Sequence, residues 1–224
     1  MKNLFKIDSS ARNFIINQSS HNSISKQLGH LFVTQWMKYN CNDTLTHRDL
    51  GLHPPAFISQ NWIAAVFTPT ENRTAQQQQL LLESDTFIAE VTHADVIIIT
   101  APMYNYGMPA VLKAWFDQIM RINQTFTFDL ARGDFPIEPI LSGKTLILLT
   151  SCGEFGFEPG GVREHMNHLG PHIRALSKYL GVEHFYEIRA EYQEFGDERH
   201  AQSKLKAKNS IVTLVKKLSR SSDV

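Results

Sequence analysis

The feature that most constrains how this chain can fold is the run Asp95-Val96-Ile97-Ile98-Ile99-Thr100, together with the turn and the change of period on its carboxyl side. Continuous β-branched apolar residues, without polar alternation, predict a strand buried on both faces, as in a parallel sheet covered by helices. From Pro109 the period becomes helical. Leu112, Trp115, Phe116 and Ile119 share one face, and the pattern leaves Lys113, Asp117 and Arg121 free to face water. The intervening turn, Ala101-Pro102-Met103-Tyr104-Asn105-Tyr106-Gly107, then falls outside the carboxyl end of a central strand, where open α/β sheets bind ligands.

The chain-wide numbers narrow the partners. With 224 residues the sequence reads as one domain, 1–224, long enough to bury a sizeable core. Its 22 Lys and Arg balance 22 Asp and Glu, so no basic excess recommends nucleic acid or an anionic membrane. Lys6 and Asp8 interrupt any signal-peptide apolar region, and no apolar run approaches the roughly 18 residues of a membrane span. Two cysteines, Cys41 and Cys152, are too few for a disulfide framework. The expectation is a soluble, cytoplasmic protein.

Taken in order, Asn3 to Asp8 reads as a first strand. A polar segment comes next, and then a helix capped by Asn22 or Ser23, with Leu28, Leu31, Phe32, Trp36 and Met37 on its apolar side. A hydroxyl-rich loop running into a helix N-terminus can hold an anion; the same serines can equally do no more than cap the helix. Thr44 to Leu50 reads as a short, polar edge strand, and Gly51 to Arg73, with Pro54-Pro55, as mostly connection. Thr74 to Thr92 is helical in period. Asn123 to Gly143 reads as a loop, Thr145 to Ser151 as a second buried strand, and Val182 to Glu187 as the last strand. A helix begins after Gly170-Pro171, another spans Glu198 to Leu218, and residues 219–224 are expected to fray. Five alternating β and α units predict an α/β, doubly wound sheet with helices on both faces.

Two nucleotide motifs fail. The segment from Ser9 to Ser23 has no glycine, which excludes a Gly-x-Gly-x-x-Gly dinucleotide loop. Gly143-Lys144-Thr145 mimics the end of a phosphate-binding loop, but Glu138 stands where Gly is required and the motif precedes a strand. A flavin mononucleotide fits better: phosphate in the loop and helix end from Ser10 to Ser25, ring across Met103 to Tyr106 and Ser151 to Glu154.

Ala101-Pro102-Met103-Tyr104-Asn105, with Leu112-Lys113, Phe116-Asp117 and Thr125-Phe126, resembles the core motif of the FMN-dependent NAD(P)H azoreductase and quinone reductase family. Ser9-Ser10-Ala11-Arg12, Ser23-Ile24-Ser25-Lys26-Gln27-Leu28 and Thr46-His47-Arg48-Asp49-Leu50 are similar to that family's phosphate loop and second strand, and the likeness extends to about Tyr192. The resemblance implies a flavodoxin-like fold with a five-stranded parallel sheet of order 2-1-3-4-5. It also implies FMN as cofactor, NADH or NADPH as donor, a quinone or azo acceptor, and a homodimer. It places phosphate contacts at Ser10, Ser23, Ile24 and Ser25. Ring and ribityl contacts fall at Pro102, Met103, Tyr104, Asn105 and Tyr106, a second ring loop at Ser151, Cys152, Gly153 and Glu154, and a wall of the partner's pocket at Phe126. The chain departs from the family pattern in a longer phosphate loop containing Phe14-Ile15-Ile16, and in Cys152 and Glu154 where the family has Arg or Gly.

Other readings stand beside this one. A flavodoxin-like electron carrier would bind FMN without a nicotinamide pocket. A hydrolase using Ser151 or Cys152 would need a Gly-x-Ser-x-Gly elbow or a placed base, and the sequence shows neither. Cys152 could be a redox thiol or a packing residue. His165, His168 and His172 could mark a metal face, although Gly170-Pro171 interrupts it.

Overall fold

The computed structural model describes residues 1–16 and 21–220. Asn17 to Ser20 of the long loop, and the part of the expected frayed tail from 221 to 224, lie outside the described residues. The elements in order are β1 (Asn3–Asp8), α1 (Ile24–Tyr39), β2 (Thr44–Asp49), α2 (Gln60–Phe67), α3 (Ala75–His93), β3 (Val96–Pro102) and α4 (Ala110–Ile119). After them come β4 (Phe126–Phe128), β5 (Ile137–Pro139), β6 (Lys144–Ser151), α5 (Gly170–Ser177), β7 (Val182–Ala190) and α6 (Glu198–Arg220). Strands β1, β2, β3, β6 and β7 form a parallel sheet of order β2-β1-β3-β6-β7. That is the expected order of the five sequence-predicted strands, with a separate antiparallel pair, β4–β5, inserted in the segment expected to be a loop.

Alternation along the central strands divides the core. Ile97 and Ile99 of β3, with Leu146 and Leu148 of β6, pack against Phe87, Leu112, Trp115, Phe116 and Ile173 of α3, α4 and α5. Val96 and Ile98, with Ile147 and Leu149, face Leu28, Phe32 and Trp36 of α1 and Ile211 and Val215 of α6. All seven residues of β3 are buried, as a continuous apolar run demands. Strand β2 takes the edge its polarity suggested. Among the described residues, no helix is long and apolar enough to cross a membrane.

Local chemistry sets the helix ends. Ser23 caps α1, its hydroxyl accepting from the Lys26 amide at 3.3 Å. Thr74 caps α3 in a reciprocal box with Gln77. Two expectations need correction. The connection from Gly51 to Arg73 contains α2, capped by Ser59 and anchored by buried Trp62 and Ala65 against Leu81; Pro54-Pro55 lies upstream of it and does not break it. Arg121 does not face water. Helix α4 ends at Ile119, and Arg121 turns inward to donate to Ser84 at 2.8 Å and Asp85 at 2.5 Å. Lys113 and Asp117 stay part-exposed and pair one turn apart.

Close approach of backbone to backbone fixes one glycine. A Cβ on Gly51, just after β2, would stand 1.9 Å from the Ser10 carbonyl oxygen at the end of β1. Gly51→Ala is therefore expected to cost about 1–3 kcal/mol of stability, read as a lowered urea midpoint; an unchanged midpoint would show that the Ser10 loop yields freely.

Candidate functional site

The carboxyl ends of β1, β3, β6 and β7 meet at one edge of the sheet, and a cleft of about 190 Å³ opens there. It is lined by Ser10 and Arg12 after β1, Ser23 and Ile24 at the start of α1, Pro102 at the end of β3 with Met103 and Tyr104 after it, and Ser151 at the end of β6 with Gly153 after it. Gln193 and Glu194, between β7 and α6, close the remaining side. Eight residues named from sequence thus line one cleft: Ser10, Ser23, Ile24, Pro102, Met103, Tyr104, Ser151 and Gly153.

The β1–α1 side is a donor cradle. The amides of Ile24 and Ser25 open α1 and have no acceptor within the helix, and the helix dipole adds positive potential there. Ser25 is buried just behind, its hydroxyl 3.2 Å from that of Ser23. Ser10 accepts from the Arg12 amide at 3.1 Å. Arg12 lines the cleft and, among the described residues, its guanidinium forms no ion pair. Amides at a helix N-terminus, small hydroxyls and an uncommitted guanidinium are the donor set that a phosphate monoester requires.

The turn after β3 is a tight reversal. Tyr104 and Gly107 exchange both backbone hydrogen bonds at 3.0 Å, and between them Asn105 and Tyr106 adopt φ of 47° and 66°. A left-handed conformation at two consecutive non-glycine residues costs free energy, which the surrounding contacts must supply. The Tyr106 carbonyl accepts from the His168 amide at 2.9 Å, and the Tyr106 hydroxyl donates to Glu154 at 3.0 Å. Tyr104 remains part-exposed over the cleft, its hydroxyl accepting from the Ala11 amide at 3.3 Å. Asn105 stands exposed at the tip and, with Tyr106, outside the lining of the cleft.

The loop after β6 is pinned by the loop after β7. Cys152 donates its amide to Ala190, Gln193 to Cys152 and Glu194 to Gly153, at 2.9 to 3.1 Å, while Phe155 stacks on Tyr192 with centroids 4.5 Å apart. Glu154 is outside the lining of the cleft and pairs with Arg163 at 3.1 Å as well as with Tyr106, so its charge is balanced by a neighbouring guanidinium. Cys152 is buried, and burial pushes its thiol up to about 12, which removes the thiolate a nucleophile or redox centre needs. Phe126 lies on the β4–β5 pair, packed edge-on against Tyr179 at 5.9 Å, and does not line the cleft of its own chain. The three histidines 165, 168 and 172 form no metal-ligand group among the described residues.

Gln193 and Glu194 line the cleft without having fallen in any motif, and Arg12, within the quoted phosphate-loop stretch, lines it without having been named as a contact. For Gln193 and Glu194 the available signal was topological: theirs is the loop after the last parallel strand, at the same end as the other three.

A family model described as flavodoxin-like fold matches residues 11–215. The chain is 61% identical over 97% of its length to the whole of FMN-dependent NADH:quinone oxidoreductase 2 of Colwellia psychrerythraea. It is 58% identical, over 99% of its length and 92% of the relative, to the protein of the same name from Idiomarina loihiensis. Among solved structures, an FMN-dependent NADH-azoreductase from Bacillus anthracis in complex with FMN superposes with a TM-score of 0.82 at 16% identity, covering 98% of this chain and all of that one; at this identity the likeness is one of fold.

Two outcomes test the local chemistry. In the native protein a thiol reagent should label Cys41, which is exposed, and reach Cys152 only after unfolding; rapid labelling of both would overturn the buried placement. The hydrogen bond to Glu154, reinforced by the carboxylate's charge, raises the Tyr106 phenol above its ordinary value. An absorbance titration should therefore show Tyr106 ionising late, and Glu154→Gln should move that ionisation to lower pH; identical curves for parent and variant would mean that the bond is not kept in solution.

Proposed function

The chain belongs to the family of FMN-dependent NADH:quinone oxidoreductases, of flavodoxin-like fold, and on that premise we propose that it is itself an FMN-dependent oxidoreductase. In this reading it passes two electrons from NADH or NADPH to a quinone or azo compound. The observation that carries the reading is the meeting, in one cleft, of an anion cradle with two turns from the carboxyl ends of adjacent strands.

The residues fit the cofactor. Ser10, Ser23, Ser25 and the amides opening α1 would hold its phosphate, and Arg12 would supply the compensating charge. Pro102, Met103, Tyr104, Ser151 and Gly153 would bear the ring; Cys152, buried and neutral, would contribute backbone and packing, and Asn105, Tyr106 and Glu154, outside the lining, would brace the two turns. FMN, when bound, supplies the hydride chemistry, so no side-chain acid is required of the protein. The chain's own tasks are to orient and to exclude water. The Tyr106–Glu154–Arg163 contacts hold the two ring-bearing turns in a fixed relation. Asn105 occupies the left-handed tip of the turn after β3, next to Tyr106.

A cleft of about 190 Å³ is smaller than the roughly 300 Å³ at which pockets begin to enclose a drug-sized ligand. Such a shallow cleft would leave part of a bound ring accessible, in keeping with our reading of a ping-pong order in which the nicotinamide leaves before the acceptor binds. Exposed Phe128, Leu130, Phe135, Ile137 and Ile140, on and around the β4–β5 pair, support a homodimer in which Phe126 walls the partner's pocket. We read the protein as a single cytoplasmic domain.

Anaerobic mixing tests the reading. The purified protein should be yellow, and NADH or NADPH should bleach the flavin band, with a quinone restoring it. A flavin that neither nucleotide bleaches would make the protein an electron carrier instead.

A further inference from the structure

A second cavity, of about 480 Å³, lies between β1, β2, α1 and the loop at residues 13–16, and it shares no lining residue with the cleft. Its walls are mostly apolar, from Phe14, Ile15 and Ile16 of the long loop, Val33 of α1, Leu45 of β2 and Leu52 beyond it, with Asn13 and His30 as the polar members. Its floor is ionic, formed by Lys6, Asp8, Lys26, His47 and Asp49.

The balance of hydrogen-bond donors and acceptors decides what such a floor can take. Asp8, His47 and Asp49 bring potential metal-ligand atoms within 4.8 Å of one another, yet every carboxylate oxygen is already engaged. Asp8 Oδ1 accepts from Thr100 at 2.7 Å, and its Oδ2 accepts from Lys6 at 2.5 Å and lies 2.8 Å from His47 Nε2. Asp49 Oδ2 accepts from Lys26 at 2.6 Å, and its Oδ1 accepts from the amides of Gly51 and Leu52 at 3.0 and 3.2 Å. A cation would have to displace two ammonium groups. The surplus is on the donor side. Among the described residues, Lys26, its side chain only 3% exposed, has three N–H donors and one acceptor, and Lys6, 10% exposed, is engaged by Asp8 and the nearby His47 ring alone. Buried ammonium donors in excess of protein acceptors favour oxygen atoms bearing negative charge. The two Lys–Asp pairs cancel formally, so a single anion meets no net repulsion.

We propose that this cavity is a binding site for a monocarboxylate with an apolar tail, of medium-chain or aryl type. The carboxylate sits on Lys26 and Lys6, and the tail lies against Val33, Leu45, Phe14 and Ile16. A volume of about 480 Å³ falls within the roughly 300–1,000 Å³ of small-molecule pockets. The site stands apart from the flavin reading, because none of its residues lines that cleft.

Calorimetric titration of the FMN-saturated full chain with octanoate, and in parallel with acetate, tests the proposal. Octanoate should bind saturably at one site per chain, and acetate at least about a hundredfold more weakly, since each buried methylene adds to the tail's burial. Lys26→Met should weaken octanoate about tenfold or more by removing a charge-assisted bond. Because that change also strips Asp49 of its partner, Val33→Trp is the second arm: it fills the cavity, leaves both ion pairs in place and should abolish octanoate binding, with thermal melts confirming the fold. The proposal is overturned if octanoate shows no saturable binding, if acetate binds as tightly, or if folded Val33→Trp binds octanoate as the parent does.

Discussion

The structure depends on one set of backbone registers. Parallel pairing aligns Asp8 with Thr100, Pro102 with Ser151, and Ser151 with Ala190, so four strands end within a residue or two of a common line. The ladder does not stop where the strands do. Ser9 donates to Thr100, Met103 to Ser151 and Cys152 to Ala190, at 2.8 to 3.1 Å. The loops that shape the cleft are thus extensions of the sheet, and they inherit its rigidity from apolar cores on both faces. A site built this way needs little from its own side chains to stay in place, which leaves them free to be hydroxyls, amides and small residues.

The same edge explains why charge is buried next to it. Asp8 ends β1 with its carboxylate almost fully enclosed. Burial would raise its pKa, but the hydrogen bond with His47, the Lys6 charge and the Thr100 hydroxyl together hold it below the usual carboxylate value. Thr100 lies on β3, Lys6 on β1 and His47 on β2, so the network ties three adjacent strands together one register step below the cleft. Such a cluster is costly to break and weak evidence of net stabilisation. Its better-founded consequence is geometric, because it fixes the strand that delivers Ser9 and Ser10.

How much of the fold and the cleft was legible in the sequence depends on how local each signal is. The strands β3 and β6 were plain because apolar runs buried on both faces have no other economical reading, and the Pro102–Tyr106 turn was plain because the period changes on either side of it. Helix α2 was hidden by its short length and by Pro54-Pro55 upstream. Arg121 was misplaced because a helical period was extended two residues past the true end of α4. The Asp8 network and the loop carrying Gln193 and Glu194 were invisible for a different reason. Asp8's partners on the neighbouring strands, His47 and Thr100, are 39 and 92 positions away, and the loop pairing spans about 40; pairing over such distances leaves no pattern in a single sequence.

Glu154 shows how a contact changes the meaning of a residue. Read as a lone carboxylate beside an electron-rich ring, it should make reduction harder. In the fold one oxygen accepts from Tyr106 and the other faces the Arg163 guanidinium, which in turn lies over the Phe155 ring at 4.5 Å. The net charge that the trio presents is close to zero, and its effect becomes mechanical. Tyr106 is held in a left-handed conformation it would otherwise leave, and the turn after β3 is fastened to the loop after β6. Because Arg163 belongs to neither turn, the segment after Gly156 becomes part of the support for the cleft. The carboxylate at position 154 is thereby matched by the guanidinium nine residues on, and the two have to be considered together.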